Sequence, residues 1–169
     1  MNILNVHERA LPVAVGEAIA LIDGLSSTAD RLSPAKAWPP MRLDRPLGVG
    51  ARGGHGPIRY FVEAYEPGRS VLFRFTGPPG FDGTHGFELL EDPVRLRHTL
   101  TMRARGRAML TWPLLFRPLH DALLEDSLAM AEASLGLQPR FVPWTPRVRF
   151  LRWLTSGGKS PPQSVLAVR

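Results

Sequence analysis

The clearest pattern in the chain is a two-residue alternation across residues 95–105. Leu96, His98, Leu100, Met102 and Ala104 share one face, and Arg95, Arg97, Thr99, Thr101, Arg103 and Arg105 share the other. Such alternation predicts a strand with one buried and one wet face. The arginines then read as a solvated surface rather than as a stripe for nucleic acid. Similar segments precede it. Val71, Phe73 and Phe75 alternate with Leu72, Arg74 and Thr76. Residues 58–65 are rich in aromatic and branched side chains, and residues 83–91 follow the Gly77-Pro78-Pro79-Gly80 turn signal. Residues 2–7 alternate weakly and suit a short first strand. The glycine-rich stretch 47–54 can bend sharply. Six strands are predicted in all. Residues 106–110 form either a further piece of strand or the approach to a helix.

The pattern changes period twice. Val15, Ala18, Ile19 and Ile22 fall at helical spacing within residues 12–25, and Gly24 closes that helix. A second short helix is predicted near 28–32, before a proline-rich crossing. After the last strand, Thr111-Trp112-Pro113 opens a long helix with Thr111 or Trp112 as its cap. It runs to Leu135 and ends at Gly136. Pro118 should kink it or reset its start. Leu115, Leu119, Leu123 and Met130 form one apolar stripe, and Leu124, Leu128, Ala131 and Leu135 a second. A helix this apolar is mostly covered, as it is when a sheet wraps it. Beyond Gly136, Pro139, Pro143, Pro146, Pro161 and Pro162 interrupt any period. No internal repeat is visible.

The order of elements is strand, two short helices, antiparallel meander, long helix. In this, and in the hairpin from Tyr60 to Phe75 around Glu66-Pro67-Gly68-Arg69, the chain resembles the START/Bet v1-like superfamily. That superfamily of helix-grip proteins includes polyketide cyclase-like and CoxG-like members. The resemblance covers residues 1–136 and implies an α+β fold, a curved antiparallel sheet around a C-terminal helix. It departs from the family in showing six strands rather than seven, and in carrying a basic extension over 137–169. That extension is expected to dock on the body or to be partly flexible. A curved sheet against one helix leaves a mostly apolar cavity. Gly48, Gly50, Gly53, Gly54 and Gly86 are expected to give it room.

Composition narrows the chemistry. With 169 residues and 44% apolar content, the chain suits one domain with a real core. It has no cysteine, so disulfides, thiolate metal sites and cysteine nucleophiles are excluded. The stretch from Val13 to Leu25 is broken by Glu17 and Asp23 and is too short to cross a bilayer. No basic region followed by an apolar run opens the chain, so a cytoplasmic protein is expected. The net charge of +6 lies in the tail, where Arg140, Arg147, Arg149, Arg152, Lys159 and Arg169 have no acidic counterpart.

Candidate site residues follow from the predicted faces. His85, His98 and His120 can reach one cavity and move a proton there, or be plain buried histidines. Asp126 lies near the first helix stripe. It either faces the cavity with a raised pKa or sits at a helix edge in water. Tyr60 can orient a ligand through its hydroxyl, or be an amphipathic core residue. Phe73, Phe75, Phe87, Leu100, Met102, Leu119 and Leu123 complete the expected lining. His55 reads as a turn residue. No histidine pair has the i,i+4 spacing of a helical zinc site, so neither metal nor cofactor is expected. Gly48-x-Gly50-x-x-Gly53 matches dinucleotide spacing but opens no helix after a buried strand, and is set aside.

Three functions stay open. One is a module binding a small hydrophobic molecule. The second is an enzyme of cyclase or dehydratase type, using the cavity histidines. The third is an adaptor that meets a membrane surface or protein partner through its tail. Residues 148–154 interleave basic and apolar side chains, which suits either an anionic surface or docking of Phe150, Leu151 and Trp153 on the body. Nucleic acid is not an expected partner. The ligand and the oligomeric state are not legible in the sequence.

Overall fold

The computed structural model describes residues 1–159 and 162–166. It contains β1 (Asn2–Ala10), α1 (Val15–Asp23), β2 (Arg42–Leu43), β3 (Arg52–His55), β4 (Ile58–Glu66), β5 (Ser70–Gly77), β6 (Phe81–Glu91) and β7 (Val94–Ala104). A helical column follows. It consists of α2 (Ala108–Thr111), a wide turn at Trp112–Phe116, and α3 (Arg117–Ser134). The tail adds α4 (Pro146–Thr155) and a short 3-10 turn at Gln163–Leu166. Every strand pairing is antiparallel, and the sheet order is β1-β7-β6-β5-β4-β3-β2. This is the expected α+β architecture of a sheet around a long helix.

The alternation in β7 holds residue for residue. Leu96, His98, Leu100, Met102 and Ala104 are all buried. The arginines opposite meet carboxylates on the outer face. Arg95 and Arg97 share Glu8, and Arg105 meets Asp82. β1 behaves otherwise. It reaches Ala10 rather than stopping at His7, and its apolar alternates Leu4 and Val6 point outward and are exposed. Its inward residues are Asn5, His7 and Arg9, because the flank of α3 facing it is acidic. Arg9 donates to Glu125 and Glu132, and Asn5 donates to Asp121.

Three further elements differ from the sequence reading. The seventh strand is β2, only two residues long. It fits because a Cβ on Gly53 would sit 1.9 Å from the Arg42 carbonyl oxygen, so only glycine lets the strands approach. Residues 106–107 are accordingly the approach to the helix, with Gly106 at φ 54°, and 108–110 belong to its first turn. The second short helix near 28–32 is a set of turns. The Asp30 carboxylate accepts from the amides of Leu32 and Ser33, an alternative to helical bonding that a segment this short adopts readily.

The long helix starts at Ala108, before the expected cap. Thr111 has helical dihedrals and no capping bond. Pro118 has no N–H for the Leu114 carbonyl, and the Arg117 amide bonds to Trp112 O, five residues back. The carbonyls of Pro113 and Leu114 are thereby released, and Arg147 of α4 donates to both, at 3.2 and 2.9 Å.

The core has three parts. The second apolar stripe of α3 (Leu124, Leu128, Ala131) packs with α1 and the sheet around Leu21, Ile22, Phe73 and Leu96. Phe75, Phe81, Leu100, Met102 and Trp112 form a second cluster. The first stripe (Leu119, Leu123, Met130) packs against Trp38, Trp144 and Val148. In α4 the buried face is Val148 and Arg152. Phe150 and Trp153, expected to dock, are exposed and stacked on each other. None of the described helices is long and apolar enough to cross a membrane.

Candidate functional site

Between the sheet and the helical column lies a cavity of about 710 Å³. The sheet contributes Phe75, Phe81, His85, Phe87, His98 and Leu100, and the helical column contributes Trp112, Phe116, Leu119, His120, Leu123 and Ser127. The crossing before the sheet adds Leu32, Pro34, Trp38 and Met41, and the β3–β4 turn adds His55, Gly56 and Pro57. Two residues of the tail, Arg152 and Thr155, close one side. Of the five glycines expected to make room, none lines this space. At Gly53, Gly54 and Gly86 a Cβ would meet backbone carbonyls at about 2 Å, so those positions allow strands to approach each other. The space comes instead from the crossing and the tail standing away from the sheet.

The structure brings His85, His98 and His120 together. Antiparallel pairing sets His85 opposite Leu100 and Phe87 opposite His98, all facing inward. Nδ1 of His85 lies 3.3 Å from Nε2 of His98, and the His98 and His120 rings are 5.3 Å apart. His85 is stacked between Phe73 and Phe75. Burial holds all three imidazoles below their ordinary pKa, so they are neutral near pH 7. The other ring nitrogens, Nε2 of His85 and Nδ1 of His98, are buried without a hydrogen-bond partner, as is Nδ1 of His120. Leaving such an atom unpaired costs about 1–3 kcal/mol.

Two histidines that sequence reasoning set aside or missed join this group. His55 lines the cavity, and its Nδ1 is 3.0 Å from the Tyr60 hydroxyl. Burial lowers its pKa to about 4. His7 lies opposite His98 in the β1–β7 register and 6.0 Å from the His120 ring. Its two nitrogens face Glu125 at 2.8 Å and Asp121 at 3.2 Å. Burial alone would lower its pKa, but these carboxylates outweigh burial and raise it to about 9. The five histidines of the chain thus form one connected set. The signal for His7 was the pairing of the first and last strands, which puts residue 7 beside residue 98. Donor atoms of His7, His120 and Asp121 lie within 4.8 Å of one another, the grouping best able to hold a metal ion among the described residues. His7 is the imidazolium partner of two carboxylates there.

Of the other candidates, Phe75, Phe87, Leu100, Leu119 and Leu123 line the cavity. Tyr60, Phe73 and Met102 lie behind that wall in the core. Asp126 faces neither the cavity nor water. It is fully buried against the tail, accepting from Trp38 Nε1 at 2.7 Å, Trp144 Nε1 at 2.8 Å and Gln163 Nε2 at 2.5 Å. Burial raises its pKa although these donors oppose the shift. The reason is its place on the Leu119–Leu123–Met130 flank of α3, which the tail covers.

A sheet gripping a long helix over an apolar cavity is the Bet v1-like helix-grip fold, and this chain has it. Solved structures bear the likeness out. A norcoclaurine synthase point mutant from Thalictrum flavum, in complex with a transition-state analogue, matches with a TM-score of 0.58 and 12% identity. The match covers 80% of this chain and 96% of that one. A protein from Thermobifida fusca, solved by NMR in solution, matches with a TM-score of 0.59 and 13% identity, covering 83% and 99%. A Nitrosospira multiformis protein matches with a TM-score of 0.53 and 12% identity, covering 86% and 99%. At such identities the likeness is one of fold. No protein-family model matches the chain, and no curated protein does.

Proposed function

We propose that this protein binds a lipophilic small molecule in the cavity between sheet and helical column. The observation that carries this reading is a largely apolar cavity wall that also includes the imidazoles of His55, His85, His98 and His120. Such a lining suits a ligand with an apolar body and a hydrogen-bonding group. Native mass spectrometry of freshly purified protein, followed by organic extraction, tests the reading. A co-purifying apolar molecule supports it. If none is found, titration with 1-anilinonaphthalene-8-sulfonate decides: absence of saturable binding by the folded protein overturns it.

One observation favours a catalytic second reading. Neutral imidazoles in contact at 3.3 Å can pass a proton between them. Norcoclaurine synthase, which has the same fold, has also been solved with dopamine and hydroxybenzaldehyde bound. If this chain works similarly, His98→Gln abolishes turnover of a reactive aromatic or polyketide-like substrate while the protein stays folded. Unchanged turnover in the single variants of His85, His98 and His120 would sink that reading.

A further inference from the structure

The charge that faces the cavity is an arginine without a carboxylate. Arg152, on the buried face of α4, is 6% exposed and lines the cavity beside Thr155. One guanidinium NH2 group donates to the Ala37 carbonyl at 2.5 Å, and the guanidinium carbon lies 4.5 Å above the Trp38 ring. Its Nε–H is buried with no partner. No carboxylate among the described residues forms an ion pair with it. Arg9, for comparison, meets both Glu125 and Glu132. Asp126, a buried acid of the tail-covered flank, is occupied by two indoles and an amide.

A guanidinium removed from water without a counter-charge is strongly unfavourable, and cannot escape by losing its proton. The stacking on Trp38 and one carbonyl bond offset part of that cost. They also fix the guanidinium plane at the cavity wall. Burial correspondingly pushes its pKa down from the ordinary value.

We infer that the cavity takes a lipophilic anion, in the simplest case a carboxylic acid whose carboxylate pairs with Arg152 and whose apolar body lies among the aromatic side chains. This deepens the proposed function and rests on it. It also gives the tail a part in recognition, since α4 supplies the charge that the sheet and long helix lack.

Dodecanoic acid and dodecan-1-ol are the probes, each titrated into the wild-type chain at pH 8 and followed by calorimetry. The acid should bind about 10-fold or more tightly than the alcohol, the difference expected of a charge-assisted pair in a dry site. In Arg152→Gln that preference should vanish. Equal binding of acid and alcohol by the wild type overturns the inference and leaves the binding function standing. Failure of both probes to bind overturns both. The wild-type comparison needs no variant, so it decides the matter even if Arg152→Gln does not fold.

Discussion

The two flanks of α3 bury polar groups in opposite ways. On the tail side, Asp126 receives three donors and has nothing left unsatisfied. On the cavity side, His85 and His98 each keep a buried nitrogen with no partner, and Arg152 keeps an unpaired charge. Both are polar groups inside an apolar shell. A saturated group holds elements together, and an unsaturated one waits for something from outside. The contrast separates scaffold from site more sharply than residue type does, since Asp126 and His98 looked equally catalytic in sequence.

Breaking the saturated side should have the largest effect. Asp126→Ala leaves two indole N–H groups unpaired and takes one of two acceptors from the Gln163 amide. It should lower stability by about 3 kcal/mol, read as a drop in the urea midpoint at constant slope. An unchanged midpoint would mean that the tail is not anchored there.

Acid should distinguish the flanks by sign. An imidazole held near 4, as His55 is, binds fewer protons folded than unfolded once the pH is below about 6.5. Stability therefore falls as pH drops from there toward 4. Asp126, with its pKa raised, binds more protons folded than unfolded just above the ordinary carboxylate range, so its contribution runs the other way. The groups facing His55 are Tyr60, Arg59 and His120. Between pH 7 and pH 5 the wild type should lose about 1–2 kcal/mol through His55 alone, a loss that His55→Asn should remove. Parallel pH profiles for the two proteins would contradict this.

Filling an unsatisfied position should have a smaller effect. His85→Phe keeps the ring stacked between Phe73 and Phe75 and removes a buried orphan nitrogen. The contact to His98 Nε2 goes with it, so stability should stay within about 1 kcal/mol of wild type, while 1-anilinonaphthalene-8-sulfonate binding weakens. A larger loss of stability would show that His85 is scaffold. The smallest effect should come from Arg147→Ala, which strips the donors from the Pro113 and Leu114 carbonyls at a largely exposed site. A loss of about 0.5 kcal/mol is expected, visible as faster amide exchange around residues 112–117.

Much of the fold was legible because burial follows period in β5, β7 and the two apolar stripes of α3. The misreadings have one physical source, contacts between elements far apart in sequence. β1 inverts its alternation because its inner neighbour is the acidic flank carrying Asp121, Glu125 and Glu132, which no local pattern reveals. β2 is too short to have a period at all. His85 and His98 declared themselves by sharing faces with Phe87 and Leu100. His7 did not, because its meaning depends on the pairing of the first strand with the last. Asp126 met neither of its expected surroundings, cavity or water, for the same reason. Whether a charge on the Leu119 stripe meets cavity or tail depends on where residues 144–163 lie, and the prolines of the tail erase the periodicity that would say so.

The participation of α4 in the cavity wall has a consequence for how the chain is made. Synthesis delivers the sheet and the long helix first, and domains begin to fold as they emerge. Until residues 144–155 follow, the nascent protein holds a pocket open along one side, with Trp38, Leu119 and Leu123 uncovered and the carboxylate of Asp126 short of the donors that the tail supplies. The vulnerable moment is therefore late, and a stalled or prematurely ended chain presents a greasy, open bowl rather than a smaller finished protein.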